Sequence, residues 1–197
     1  VDCVLVHSVR DPVRVQNPEV FEAFEVAKKA GKVRFLGFSS HAPSLPEVSR
    51  AGLAMKRYDV VLLKYSYMSY PRLKDVFDEL HAAGVGITVM KTRDGARYVD
   101  LEEFNRGDGF IGSTLRWASS NPQIGSAVIS LKTFEEAELY AQIAGQELAA
   151  GDLELLDRYA AEFGGVQCRW CGDCGSSCPV KVPVWDVDRA SMYYHRY

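Results

Sequence analysis

Short apolar runs alternate with amphipathic segments along the first three quarters of the chain. The runs are Cys3–His7, Val33–Phe38, Val60–Lys64, Ile87–Met90 and Ser126–Ile129. They are rich in β-branched residues and apolar at consecutive positions, the pattern of strands buried on both faces of a parallel sheet. The segments between them predict helices. Asn17 caps a helix that starts at Pro18, carries Val20, Phe24 and Ala27 on one face, and stops at Gly31. A second runs from Pro71 to Gly84 with Leu73, Val76, Phe77 and Leu80 at helical spacing. Thr133 and Glu136 are spaced as a capping box for a third, which continues through Leu139 and Ile143. Weaker helical patterns cover Leu45–Met55 and Phe110–Ser119, and a further helix spans roughly Leu153–Ala161.

Five strand–helix units in strict alternation imply an α/β fold with a parallel sheet. An open doubly wound sheet and a closed barrel are the competing architectures. No glycine-rich G-x-G-x-x-G turn follows any strand, which disfavours a dinucleotide-binding open sheet. A whole (β/α)8 TIM-type barrel has eight units and about 250 residues. The expectation is therefore the C-terminal five strand–helix units of such a barrel. The domain division expected is a partial barrel over residues 1–163 and a small helical or loop module over residues 164–197.

That module holds four of the five cysteines: Cys168-Arg-Trp-Cys171-Gly-Asp-Cys174-Gly-Ser-Ser-Cys178-Pro179. This is C-x2-C-x2-C-x3-C-P, the ligand spacing of bacterial ferredoxin-type iron–sulfur sites. Two-residue gaps let successive sulfurs face one centre, and Gly172 and Gly175 relieve backbone crowding. A zinc module would pair two C-x2-C units across a longer loop. Cys168, Cys171, Cys174 and Cys178 are thus expected to hold one 4Fe–4S cluster, with a second cysteine run outside the chain as the alternative use of the fourth ligand. Cys3, in an apolar run, is expected in the core.

Composition changes this picture little. With 197 residues, 47% hydrophobic, and a net charge of −3, the chain has no basic stripe for nucleic acid. No apolar run reaches the length of a membrane span. The chain opens on Val1 with a strand-like segment and no charged leader or signal core. The expectation is a piece of a longer polypeptide, cytoplasmic by default, with any signal region lying upstream.

The predicted strand ends collect His7, Ser39-Ser40-His41, Lys64-Tyr65, Met90-Lys91, and Ser130 followed by Lys132. Barrels keep their chemistry at these ends. Four stretches together, in order, resemble the aldo-keto reductases: Val1-Asp-Cys-Val-Leu-Val-His7, Gly31-Lys-Val-Arg-Phe-Leu-Gly-Phe-Ser-Ser40, Ala82-Ala-Gly-Val-Gly-Ile-Thr-Val-Met-Lys91 and Leu115-Arg-Trp-Ala-Ser-Ser-Asn-Pro122. With the cysteine run that follows, the chain resembles the branch of that family with a C-terminal ferredoxin-type 4Fe–4S module.

The resemblance implies a barrel that transfers hydride between NADPH or NADH and a small carbonyl or alcohol substrate. It identifies His7 as the catalytic histidine, a strand-end imidazole able to donate a hydrogen bond to a substrate carbonyl. The family's tyrosine, lysine and aspartate belong to strands that precede these. Ser39 and Ser40 match a serine and an asparagine that hold the nicotinamide carboxamide, Met90 replaces a stacking aromatic, and Lys91 and Lys132 meet phosphates. With Ser130, these six residues form the expected cofactor set. Leu62 stands where many members have a glutamine, and Ala137 and Ala141 replace an arginine and an asparagine, so NADP, NAD or neither stays open. Hydride carries two electrons and a cluster passes one, and no flavin motif links them. The cluster is thus structural or serves a redox partner protein. The alternative is a non-enzymatic electron carrier or interaction module whose barrel no longer binds nicotinamide. The loop 92–109 that would set the substrate is polar and names none.

Overall fold

The computed structural model describes residues 1–93, 102–104, 108–165 and 168–196, so most of the loop 92–109 lies outside the described residues. The chain forms two compact units. The first comprises Val1–Lys64, Arg72–Met90 and Pro122–Val128, and the second Tyr65–Pro71, Lys91–Asn121 and Ile129–Tyr197.

The first unit is built on five parallel strands: β1 (Cys3–Val6), β2 (Phe35–Ser40), β3 (Val60–Lys64), β4 (Gly86–Met90) and β5 (Ile124–Ala127). Their spatial order is their sequence order, so each strand pairs with the one before it. The expected strands are all present, although β2 extends two residues further and β5 starts two residues earlier than the apolar runs. Pairing sets these ends: Ser39 and Ser40 lie opposite Leu62 and Leu63, and Ile124 lies opposite Ile87 before the register slips.

Burial on both faces holds for β2, whose last five residues are all buried. In β3 and β4, buried Val61, Leu63, Ile87 and Val89 alternate with half-buried or exposed neighbours. Val61 faces Gly52, Leu53 and Leu80 of the helix layer, and the opposite face is only partly covered. On the edge strands β1 and β5 burial falls further, with Val4 44% exposed. Cys3 is exposed as well, a correction to its expected place in the core; an edge strand has a neighbour on one side only.

Three helices belong to this unit. In α1 (Pro18–Lys29) the Asn17 side chain accepts from the Glu19 N–H, and Gly31 follows in the left-handed region at φ +68°. α2 (Leu45–Met55) matches its pattern, and α3 (Lys74–Ala82) follows a 3-10 turn over Tyr70–Arg72 rather than starting at Pro71.

The second unit contains α4 (Gly109–Ser120), α5 (Phe134–Ile143), α6 (Ala150–Phe163) and α7 (Val184–Arg196). Met68, Phe104 and Phe110 pack with Leu156 and Tyr159 of α6, while Leu115 of α4 meets Tyr140 and Ile143 of α5. Thr133 caps α5 by accepting from Glu136 N–H, as the capping-box spacing predicts. The Glu136 carboxylate takes the Lys132 N–H instead of that of Thr133. No described helix is long and apolar enough to cross a membrane.

Candidate functional site

At the end of β1 the chain turns sharply. His7 is exposed, Ser8 adopts φ +52°, and Val9 is fully buried. Ser39 and Ser40, at the end of the neighbouring strand β2, hold this turn. The Ser8 N–H donates to Ser39 Oγ at 2.8 Å, and the Val9 N–H donates to the Ser39 carbonyl at 2.8 Å. Ser40 Oγ donates to the Val9 carbonyl at 2.8 Å, and His7 Nδ1 lies 3.1 Å from Ser39 Oγ. Both serines have 0% exposure. A small hydroxyl side chain fits under the turn and satisfies backbone groups that would otherwise be buried without partners. Both hydroxyls are engaged with the His7–Val9 turn. Sequence reading missed Ser8 and Val9, whose only signal was their place directly after His7.

Met90 ends β4 half-buried, and β3 lies between its strand and β2. Leu62 pairs with Ser39 on one side and Thr88 on the other, as an apolar residue of β3. Lys91, Ser130 and Lys132 belong to the second unit, and all three are exposed. Lys91 takes φ +62°, and the Lys132 N–H donates to Glu136. In α5, Ala137 is half-buried and Ala141 exposed. The structure thus joins His7 to Ser39 by a direct hydrogen bond and ties Ser40 to the same turn through the Val9 carbonyl.

The cysteine segment is shaped by backbone and tryptophan. Trp170 lies at φ +51° and Gly172 at φ +85°, and a 3-10 turn over Asp173–Ser176 carries Cys174. Trp170 is buried, with the Arg189 guanidinium 4.3 Å from its ring centroid and its Nε1–H donated to Asp186. Gly175 lies directly against the Trp185 ring, where a Cβ would collide. All four cysteines are free thiols. Burial holds the Cys168 thiol above its ordinary range, and a hydrogen bond to Asp188 pushes in the same direction. Four thiols on one short loop are a donor set suited to iron–sulfur chemistry. Among the described residues, however, no three His, Cys, Asp or Glu side chains stand close enough together to hold a metal ion.

Neither of two cavities is lined by His7, Ser39, Ser40 or Met90. One of about 380 Å3 in the first unit is lined by Phe38, Tyr58, Val61 and Leu80, with Lys56 at its edge. A more open cleft of about 620 Å3 in the second unit is bounded by Tyr67, Tyr70, Trp117, Asp157 and Arg169. Trp117 stacks on buried Tyr65 at 4.6 Å, and Asn121 Nδ2 donates to the Tyr65 and Tyr70 hydroxyls.

No protein-family model matches the sequence, and neither does any curated protein. The structure is similar to that of a thermostable aldo-keto reductase crystallised with the inhibitor epalrestat, with a TM-score of 0.58 and 17% sequence identity. The likeness covers 80% of this chain and 59% of that enzyme, so the chain spans less than two thirds of its length. At this identity the likeness shows the fold alone: a parallel α/β sheet like the one in that enzyme.

Proposed function

We propose that the protein is an oxidoreductase that transfers hydride between a nicotinamide cofactor, NADPH or NADH, and a small carbonyl or alcohol substrate. The observation that carries this reading is His7, an exposed imidazole at the end of β1, fastened to Ser39 at the end of β2 in a sheet like the one in that aldo-keto reductase. A bound dihydronicotinamide would supply the hydride for the carbonyl carbon, and the carbonyl oxygen would need a proton. His7 donates a hydrogen bond to that oxygen, orients it and stabilises the charge that develops there. The sequence resemblance assigns the proton donor to strands preceding β1. Met90, Lys91, Ser130 and Lys132 are the residues of this chain offered to the cofactor, and Ser39 and Ser40 serve it through the turn they hold.

In the full-length protein, carbonyl-dependent oxidation of NADPH or NADH is the expected activity. His7→Ala lowers kcat by roughly 10²-fold with little change in nicotinamide affinity, because its interaction is made with the reacting oxygen. Unchanged turnover in His7→Ala would remove the histidine from the mechanism.

A 4Fe–4S cluster on Cys168, Cys171, Cys174 and Cys178 belongs to the same proposal, with residues 164–197 as its module. The spacing and the four free thiols support it. When bound, the cluster supplies one-electron transfer to a redox partner or fixes the segment structurally. Asp186 and Arg189, which contact Trp170, and Asp188, which bonds Cys168, would then be the charged neighbours of the segment, with Trp170 and Trp185 as its apolar side chains.

A second reading has a specific observation in its favour. The Ser39 and Ser40 hydroxyls are spent inside the fold, and Leu62 has no polar group to offer. A barrel that has lost nicotinamide binding and acts as an electron carrier or interaction module would show these features. Titration of the full-length protein with NADPH and NADH separates the two: saturable binding supports the enzyme, and none supports the carrier.

A further inference from the structure

We infer that Ser39 is a positioning residue that fixes the neutral His7 imidazole as the tautomer carrying its proton on Nε2. The inference rests on the proposed role of His7 and deepens it. Ser39 Oγ has one proton to donate and two lone pairs with which to accept. One lone pair is taken by the Ser8 N–H at 2.8 Å. The Val9 backbone groups are already matched, since the Val9 N–H goes to the Ser39 carbonyl and the Val9 carbonyl takes the Ser40 hydroxyl. Among the described contacts, the acceptor in reach of the Ser39 proton is His7 Nδ1, at 3.1 Å.

The two tautomers of His7 therefore differ sharply in cost. With the ring proton on Nδ1, that N–H and the Ser8 N–H would occupy both lone pairs of Ser39. The serine proton would then be sealed at 0% exposure with no acceptor, an expensive arrangement. With the ring proton on Nε2, the Ser8 N–H, the Ser39 hydroxyl and Nδ1 are all satisfied: Ser8 donates to Ser39, Ser39 donates to Nδ1, and Nε2–H remains to donate outward. The ring itself is exposed while its Nδ1 edge is tied to a buried strand end. That is the form needed to donate a hydrogen bond to a carbonyl oxygen while remaining uncharged.

The backbone supports the same arrangement. Ser8 reaches Ser39 because it adopts φ +52°, a conformation that non-glycine residues avoid unless the surroundings hold it. Two neighbouring residues of β2 thus set the backbone of the turn and one of them sets the proton on its histidine, across 32 residues of sequence.

Long-range 1H–15N correlation spectra of the full-length protein with 15N-labelled histidine test this directly. At about pH 9, where imidazoles are neutral, the His7 signals, assigned by their loss in His7→Gln, should show an unprotonated Nδ1 and a protonated Nε2. Ser39→Ala should give a mixture of tautomers, and Ser39→Thr, which keeps the hydroxyl on a strand that accepts β-branched residues, should restore the single form. Carbonyl reduction should fall about 10-fold in kcat in Ser39→Ala, recover in Ser39→Thr, and drop no further when Ser39→Ala is added to His7→Ala. A wild-type His7 protonated chiefly on Nδ1 would overturn the inference, and that result needs no variant to fold. So would Ser39→Ala retaining the pure Nε2–H form. Should the wild-type protein reduce no carbonyl, the enzymatic reading falls, and the wild-type spectrum still decides the role of Ser39.

Discussion

Gly37 and Gly151 show how differently one residue type constrains this chain. Gly37 sits in β2 opposite Leu5, and a Cβ there would run into the Val60 carbonyl oxygen and the Leu5 side chain. The Leu5 side chain can rotate aside, but the Val60 carbonyl cannot move without shifting a paired strand, so Gly37→Ala should cost about 2–3 kcal/mol of unfolding free energy in urea titration. Gly151, in the first turn of α6, has open space around it, and Gly151→Ala should gain up to about 0.5–1 kcal/mol. The sequence shows both simply as glycines, because steric crowding comes from residues far away along the chain. The same limit applies at the candidate site. His7 and Ser39 were legible individually as strand-end residues, since strand ends follow from the apolar runs. Their hydrogen bond was not, because it depends on the left-handed turn at Ser8, and serine carries no sequence signal for that conformation.

Between elements, the tightest polar link in the second unit joins α4 to α6. Arg116 of α4 donates from Nε to Asp152 Oδ2 at 2.9 Å and from NH2 to Asp152 Oδ1 at 2.6 Å, and it also pairs with Asp108. Asp152 further accepts from Ser113 Oγ at 2.8 Å and from the Ala149 N–H at 2.9 Å. Arg116, with these hydrogen bonds, holds the Asp152 carboxyl down at about 2, and the partnership raises the guanidinium pKa in turn. The bidentate pair is nearly buried, so Asp152→Ala should destabilise the fold by about 3–5 kcal/mol by leaving Arg116 half-satisfied. Because the folded-state value lies below the unfolded one, near 3.9, this stabilisation is complete above about pH 5. It is lost progressively as pH falls towards 2. Urea unfolding across that range should show the loss in the wild type and a flatter profile in Asp152→Asn. The helices themselves were legible from their periodicity. The link was not, because charges 36 residues apart leave no periodic trace, and the predicted start of α6 at Leu153 left Asp152 outside the helix.

At the scale of the whole molecule, the alternation of apolar runs and helices was enough to give five parallel strands, because each run is bounded by helix caps and stops. The division into two units was not legible, since each unit draws on separate stretches of chain. The cysteine spacing yields its own prediction. Anaerobically purified full-length protein should carry about four irons and four sulfides per chain, and Cys171→Ala should remove them. Bound zinc without sulfide would overturn the cluster. The order of the sheet has a kinetic consequence. Among the described strands, each of β2 to β5 pairs with the strand just before it, so these pairings wait for no distant segment. Loop closure between successive strands spans only one crossover, and a chain emerging from the ribosome can add each strand to an edge already formed. Nascent chains arrested with increasing lengths exposed should therefore gain protease resistance one strand–helix unit at a time as each of β2 to β5 joins the strand before it.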